Sequence, residues 1–206
     1  KRPAVIVIHE NRGLNPHIKD VTRRVALAGF VAFGPDYLSP LGGTPADEDK
    51  ARDMFPQLKP ADVVANSRAA LAGLKARSDT TGKVGAMGFC WGGGQVNALA
   101  VADPELGAGV PYYGIQPKAE DVPNIKAPLM LQYAGIDERI NAGIAAYEAA
   151  LKQNGKTYEI YVYQGVNHAF NNDTGGARYN KDAADLAWGR TIAFLKKNLG
   201  DAPAAG

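Results

Sequence analysis

Gly85-Ala86-Met87-Gly88-Phe89-Cys90-Trp91-Gly92-Gly93-Gly94 contains the single cysteine of this 206-residue chain. Lys83 to Phe89 is apolar enough for a buried strand, and Gln95 to Ala102 has the alanine, leucine and valine content of a packed helix. Between them, Gly88-x-Cys90-x-Gly92 has the spacing of a nucleophile elbow with cysteine in place of serine. A side chain perched on a sharp strand-to-helix turn has a strained backbone. Cβ atoms two residues to either side would collide with neighbouring elements, so glycine is required at 88 and 92. The thiol then stands at the carboxyl edge of a sheet, at a helix N-terminus whose dipole is expected to favour thiolate. A buried, inert cysteine is the competing reading, so partners for Cys90 must be sought elsewhere in the chain.

Upstream, Ala4-Val5-Ile6-Val7-Ile8-His9 is a continuous apolar run, the pattern of a parallel strand covered on both faces. It leads into the polar loop His9-Glu10-Asn11-Arg12-Gly13, then a helix expected from His17 to Ala28 and stopped by Gly29. A strand over Phe30 to Pro35 and a glycine- and proline-rich loop from Asp36 to Pro45 follow, then helices over Asp47 to Phe55 and Ala61 to Arg77. Downstream of the elbow, strands are expected at Ala108 to Tyr113, Pro128 to Tyr133 and Thr157 to Tyr163. The linker Gly114 to Ala127 separates the first two. Helices are expected at Gly143 to Asn154 and Tyr179 to Leu199. Strand and helix alternate with no repeat and no second composition regime. This pattern implies an α/β fold: one doubly wound, mostly parallel sheet with helices on both faces, in a single domain over 1–200 with a flexible tail over 201–206. Such sheets bind ligands at the carboxyl ends of their strands.

That rule picks out two further residues. The strand ending at Tyr133 runs out into Gly135-Ile136-Asp137-Glu138-Arg139, and the strand ending at Tyr163 into Asn167-His168-Ala169-Phe170. Cys90, Asp137 and His168 therefore leave strand ends in the order nucleophile, acid, histidine that acyl transfer on this architecture needs. His168 would move the thiol proton and later activate water, and Asp137 would fix its tautomer. Glu138 is the alternative acid. The main-chain N–H groups of Trp91 and Asn11 are the candidate oxyanion donors. Tyr37, Trp91, Asn171 and Arg178 are candidates for the substrate pocket. His9 is expected to be a hydrogen-bonded scaffold residue and His17 an exposed one. No His, Asp and Glu spacing makes a metal site, and no cofactor is implied.

With these residues in place, the chain resembles the dienelactone hydrolase family, cysteine-dependent members of the α/β-hydrolase fold. The resemblance rests on His9-Glu10, on Gly-Phe-Cys-Trp-Gly-Gly at 88 to 93 and on Val110-Pro111-Tyr112-Tyr113-Gly114. It rests also on Gly-Ile-Asp at 135 to 137 and Asn-His-Ala-Phe at 167 to 170. It implies a hydrolase of carboxylic esters or lactones working through a thioester, with Cys90, Asp137 and His168 as triad. It also implies a thiol-controlling role for Glu10, which would hold the resting thiol and release it when substrate binds. One departure stands out: where family enzymes for dienelactone carry an arginine four residues after the histidine, this chain has Asn172, and Arg178 is a candidate replacement. Family domains also usually carry strands before the one at Ala4, and a chain without them would expose a sheet edge.

Composition narrows the remaining options. Hydrophobic content of 46% and charged content of 21% are those of a soluble globular protein, and the formal net charge is only +2. No basic cluster is interleaved with aromatics, so no nucleic-acid partner is expected, and no apolar run reaches bilayer length. One cysteine allows no internal disulfide, and a cytoplasmic, monomeric or weakly dimeric protein with a small-molecule partner is the expectation. The chain starts at Lys1 without methionine, which points to processing or truncation. Two other readings use the same residues: a non-enzymatic thiol sensor or binding module, and a hydrolase of phosphotriesters or other activated esters.

Overall fold

The computed structural model describes residues 1–201. Six strands, β1 (Arg2–Ile8), β2 (Val31–Phe33), β3 (Thr80–Phe89), β4 (Ala108–Tyr112), β5 (Leu129–Ala134) and β6 (Tyr158–Tyr163), form one sheet in the order β2-β1-β3-β4-β5-β6. Every neighbouring pair is parallel. Parallel neighbours need crossovers, and the crossovers here include α1 (Pro16–Leu27), α2 (Glu48–Met54), α3 (Pro60–Ala76), α4 (Trp91–Ala102), α5 (Glu138–Asn141) and α6 (Ile144–Gln153). A closing helix, α7 (Lys181–Leu199), follows the last strand.

Alternation along each strand sorts the core into two layers. Val5, Val7, Met87, Phe89, Val110 and Tyr112 face α1 and α7, where Ile18, Val21, Ala187 and Leu195 are buried. Ala4, Ile6, Ile8, Ala86, Leu129 and Leu131 face the other side, against Val63 and Leu71 of α3, Leu99 of α4 and Leu151 of α6. Both faces of the central strands are therefore covered, which is why β1, β3 and β5 read as uninterrupted apolar runs. A polar chain crosses the first layer: Tyr112 Oη and Thr191 Oγ1 lie 2.7 Å apart, Gln132 Nε2 donates to Thr191 Oγ1, and Tyr163 Oη donates to Gln132 Oε1 at 2.6 Å. It satisfies buried groups that α7 and the sheet could not leave unpaired.

Several element limits differ from the sequence reading, each for a tertiary reason. The strand expected over Phe30 to Pro35 shortens to Val31–Phe33. It has a neighbour on one side only, and as the outer strand it leaves Phe33 41% exposed. The exposed edge on this side is β2, and β1 lies inside the sheet. The elbow helix starts at Trp91, not Gln95, so three glycines that disfavour helix in isolation occupy its first turn. They are there for close approach: a Cβ on Gly92 would lie 2.3 Å from the Ile8 carbonyl oxygen, and one on Gly88 would lie 2.2 Å from that of Gly92. β4 ends at Tyr112, and Tyr113 adopts a left-handed φ of 36°. The linker Gly114 to Ala127 contains a 3-10 turn over Ala119–Asn124. Of the tail over 201–206, residues 202–206 lie outside the described residues. No helix among the described residues is long and apolar enough to cross a membrane.

The glycine contacts give a stability prediction. Gly92→Ala places a methyl against two main-chain carbonyls, those of Ile8 and His9, which cannot yield as a flexible side chain would. Urea unfolding should show a loss of about 3 kcal/mol or more, whereas Gly73→Ala, at an α3 position with nothing within 4 Å, should be neutral or stabilising.

Candidate active site

Cys90 follows the last residue of β3 and caps α4 with φ 57° and ψ −118°, a conformation few L-residues adopt. Its N–H donates to the Tyr112 carbonyl, tying the elbow to the end of β4. β3 is central in the sheet, so loops from the strands on both sides reach the thiol. A cavity of about 250 Å³ beside Cys90 is lined by Asn11, Trp91, Gln95, Tyr113, Ile115, Arg139 and Ile140. An adjoining cavity of about 400 Å³ is lined by Ile136, Asp137, Glu138, Asn167, His168 and Arg178, with Arg139 common to both.

The acid and the histidine meet as their strand ends suggested. His168 Nδ1 is hydrogen-bonded to Asp137 Oδ2 in a close contact, with Asp137 8% exposed. Glu138 is exposed on the first turn of α5, so the choice between neighbouring carboxylates falls to Asp137. His168 rests on the Tyr113 ring, centroids 4.9 Å apart.

Two groups at the site are buried against their charge preference. Burial, then the nearby Glu10, push the Cys90 thiol up to about 11, outweighing the Trp91 N–H and the Arg139 cation that favour thiolate. The helix N-terminus therefore does not deliver the resting thiolate that sequence reasoning expected. Glu10, 6% exposed at the end of β1, is itself raised to about 7, mainly by burial. Asn172 Nδ2 donates to Glu10 Oε1 at 3.0 Å, and Arg12 and Arg178 lower the pKa further, while Glu48 opposes them. Asn172 thus binds Glu10, a contact that position alone could not have told.

The four pocket candidates divide. Trp91 and Arg178 line the two cavities at Cys90 and His168. Tyr37 does not: its hydroxyl lies 2.7 Å from Ser67 Oγ, its N–H donates to His9 Nε2, and it borders a separate cavity of about 330 Å³ with Leu41, Lys59 and Asp62. The Asp36 side chain pulls the intervening loop down through Leu38 and Thr44, which turns Tyr37 inward. Asn171 also misses the site. Ala169 turns the chain at φ 70°, so that Asn171 faces Arg24, Asp173 and Trp188 in a third cavity while its neighbour Asn172 reaches Glu10.

His9 is a scaffold residue: Nδ1 donates to the Glu10 carbonyl, Trp91 stacks on the ring at 5.4 Å, and burial lowers its pKa to about 4. The indole of Trp91 also meets Phe55 and Tyr37, so one side chain borders the cavity and anchors an aromatic cluster beneath it. His17 is buried, not exposed, with Nδ1 3.4 Å from Asp173 Oδ1. Arg139, Gln95, Ile115 and Tyr113 were not singled out from sequence. Among them Arg139, two residues after Asp137, and Tyr113, at the carboxyl end of an expected strand, had a positional signal.

Glu10 supplies a prediction with a definite sign. Its carboxyl titrates near 4.5 unfolded and about 7 folded. Native protein therefore binds the extra proton between these values, and stability present below pH 4.5 is lost as pH rises through 7. Glu10→Gln removes that loss, so its stability advantage should be near zero at pH 4.5 and about 3 kcal/mol at pH 8 by denaturant unfolding. The same change removes a negative charge beside Cys90 and should lower the thiol pKa by about one unit, read as faster iodoacetamide alkylation at pH 8.5.

The chain matches the dienelactone hydrolase family over residues 1–199. It is 32% identical over 230 residues to a Saccharolobus solfataricus protein named "Putative carboxymethylenebutenolidase", covering 94% of this chain and 89% of that one. It is 38% identical over 206 residues to "Protein usf" of Aquifex pyrophilus, covering 96% and 89%. The crystal structure titled "Putative Dienelactone Hydrolase" from Klebsiella pneumoniae superposes with a TM-score of 0.86 at 28% identity, covering 95% of this chain and 87% of that one. The matched span includes the elbow, the Asp137–His168 pair and Glu10, and the chain belongs to the dienelactone hydrolase family of α/β-hydrolases.

Proposed function

We propose that this chain hydrolyses small carboxylic esters or lactones through a thioester on Cys90. The observation that carries the reading is the Asp137–His168 hydrogen bond at the sheet edge beside a cavity into which the strained Cys90 elbow opens. His168 takes the proton from the Cys90 S–H, and the sulfur attacks the ester carbonyl carbon, forming a C–S bond as the carbonyl electron pair moves to oxygen. Asp137 holds Nδ1 of the imidazole, leaving Nε2 for proton transfer. The N–H groups of Trp91 and Asn11 are the candidate donors to the oxyanion. When the C–O bond breaks, the leaving alkoxide takes the proton from His168. Water activated by the same histidine then cleaves the thioester and restores the thiol.

Glu10 acts as the brake in this scheme. A carboxyl ionised above about pH 7 next to a thiol held near 11 keeps sulfur protonated at rest, and a substrate that draws Glu10 away releases it. A peroxide sensor needs an accessible thiolate, and a thiol buried against a carboxyl has the opposite setting. Arg139 and Arg178 supply two cations at the mouth of the cavities. They compensate in charge for the arginine that position 172 lacks, which favours substrates bearing an anionic group.

Stopped-flow hydrolysis of p-nitrophenyl acetate with intact-mass analysis tests the reading. A burst with one acyl group on Cys90, abolished by iodoacetamide, is expected. Asp137→Asn should lower kcat on the order of 10³-fold with the fold intact. Full turnover by Cys90→Ala or by the alkylated protein would overturn the thiol mechanism.

A further inference from the structure

The cavity of about 190 Å³ between α1 and α7 takes no part in the mechanism above. Asn171 and Asp173 line it from the loop after His168, Arg24 from α1, Tyr179 from the turn before α7, and Asp185 and Trp188 from α7 itself. Three consecutive polar residues of that loop have different fates. Asn172 is engaged at both ends of its amide: Nδ2 donates to Glu10, and Oδ1 accepts from the N–H and the hydroxyl of Thr174. Asp173 Oδ2 accepts from Arg24 Nη2 at 2.6 Å. Asn171 is only 6% exposed, yet its side-chain amide makes no hydrogen bond among the described residues. Buried polar groups are as a rule paired, so an amide left at the wall of a cavity calls for a partner from outside the chain.

The charges around the cavity select the sign of that partner. Arg24 is taken up by two carboxylates, Nε by Asp20 at 2.8 Å and Nη2 by Asp173. Asp185 pairs with Lys181 one turn earlier on α7. Three carboxylates therefore stand against two cations. His17 does not redress the balance: it lies behind Asp173, 5% exposed, with an unpartnered Nδ1 3.4 Å from Asp173 Oδ1, and burial lowers its pKa and keeps the ring neutral. An anion entering the cavity meets this excess of negative charge, and a cation is drawn by it. Trp188 and Tyr179 line the same space, and aromatic rings attract cations and pack against alkyl chains.

We infer that this cavity is a binding site for a small primary ammonium compound, separate from the Cys90 cavity. Asn171 Oδ1 and the Asp185 carboxylate accept from the ammonium group, and Trp188 and Tyr179 enclose its alkyl part. A primary ammonium has three donors and no acceptor, which suits an amide oxygen beside a carboxylate. The volume admits a short chain only. The site does not rest on the proposed ester chemistry, although the loop that forms its wall also carries Asn172 to Glu10.

Titration of nitrogen-15-labelled protein with n-butylammonium chloride at neutral pH, at constant ionic strength, tests this. The chain has two tryptophans, so two indole N–H signals are followed, and Trp188→Phe assigns them. The expected result is a saturable shift of the Trp188 signal with a Kd of about 1–10 mM, the range open to so small a ligand, while the Trp91 signal stays in place. Sodium butyrate and n-butanol at the same concentrations should leave both signals unmoved. Asn171→Ala should weaken binding about five- to tenfold. Asp185→Asn, at an exposed position that the fold tolerates, should weaken it about threefold and serves where the first variant does not fold. The absence of a saturable shift up to about 50 mM would overturn the inference. So would an equal response to butanol or butyrate, a shift of Trp91 alone, or an unchanged Kd in the folded variants.

Discussion

The closeness with which α4 lies against the sheet governs the rest of this site. The first turn of α4 touches main chain directly, Gly92 against the carbonyls of Ile8 and His9 and Gly88 against Gly92 itself. Such contacts leave no room for side chains, so the turn between β3 and α4 must be completed by one residue in a left-handed conformation. Cys90 occupies it at a cost of about 1–3 kcal/mol. The strain persists because the elbow is fixed from both sides, by β1 through Gly92 and by β4 through the Cys90 N–H to the Tyr112 carbonyl.

Position in the sheet then determines which neighbours the thiol has. β3 lies between β1 and β4, so Glu10 and Asn11 arrive from one side and Tyr113 from the other at short range. Asp137 leaves β5 and His168 leaves β6, two and three strands away, and the His168 loop travels back over the sheet edge to reach Tyr113 at the end of β4. The hydrogen bond to Asp137 and the contact with Tyr113 hold it there. The segment beyond His168 does a second job on the way, delivering Asn172 to Glu10 while Asp173 meets Arg24 of α1 at 2.6 Å. One loop therefore ties His168, the carboxyl beside the thiol and a helix of the opposite end of the chain together.

Legibility in the sequence followed the range of the interactions. Apolar runs mark β1, β3 and β5 because burial on both faces is written residue by residue, and glycine at 88 and 92 marks the elbow because a backbone clash allows no other residue. Asp137 and His168 were readable because the chain order of strand ends is itself sequence information. Side-chain direction in loops was not. Tyr37 and Asn171 sit beside the right positions and point elsewhere, one fixed by Ser67 and His9, the other displaced by the turn at Ala169. His17 reads as a polar residue at a helix start, and only the packing of α1 against the loop at Asp173 buries it. Tyr113 reads as the last residue of a strand. Its positive φ accompanies the close approach of Gly114 to Gly93, residues 21 positions apart in the chain.

The electrostatics of the site run against its own stability. A thiol pushed up to about 11 and a carboxyl raised to about 7 both record burial that disfavours charge, and they sit beside each other. A carboxylate kept there above neutral pH lowers folding stability, and it also keeps the nucleophile protonated. On the proposed mechanism these are one device: the energy stored in holding Glu10 against Cys90 is released when substrate separates them. Thiolate then forms only in the presence of the group it is to attack. On that mechanism the residues that set reactivity lie outside the proposed triad. In the proposed scheme Cys90, Asp137 and His168 provide nucleophile and proton path, whereas Glu10, bonded to Asn172, controls when the path is open.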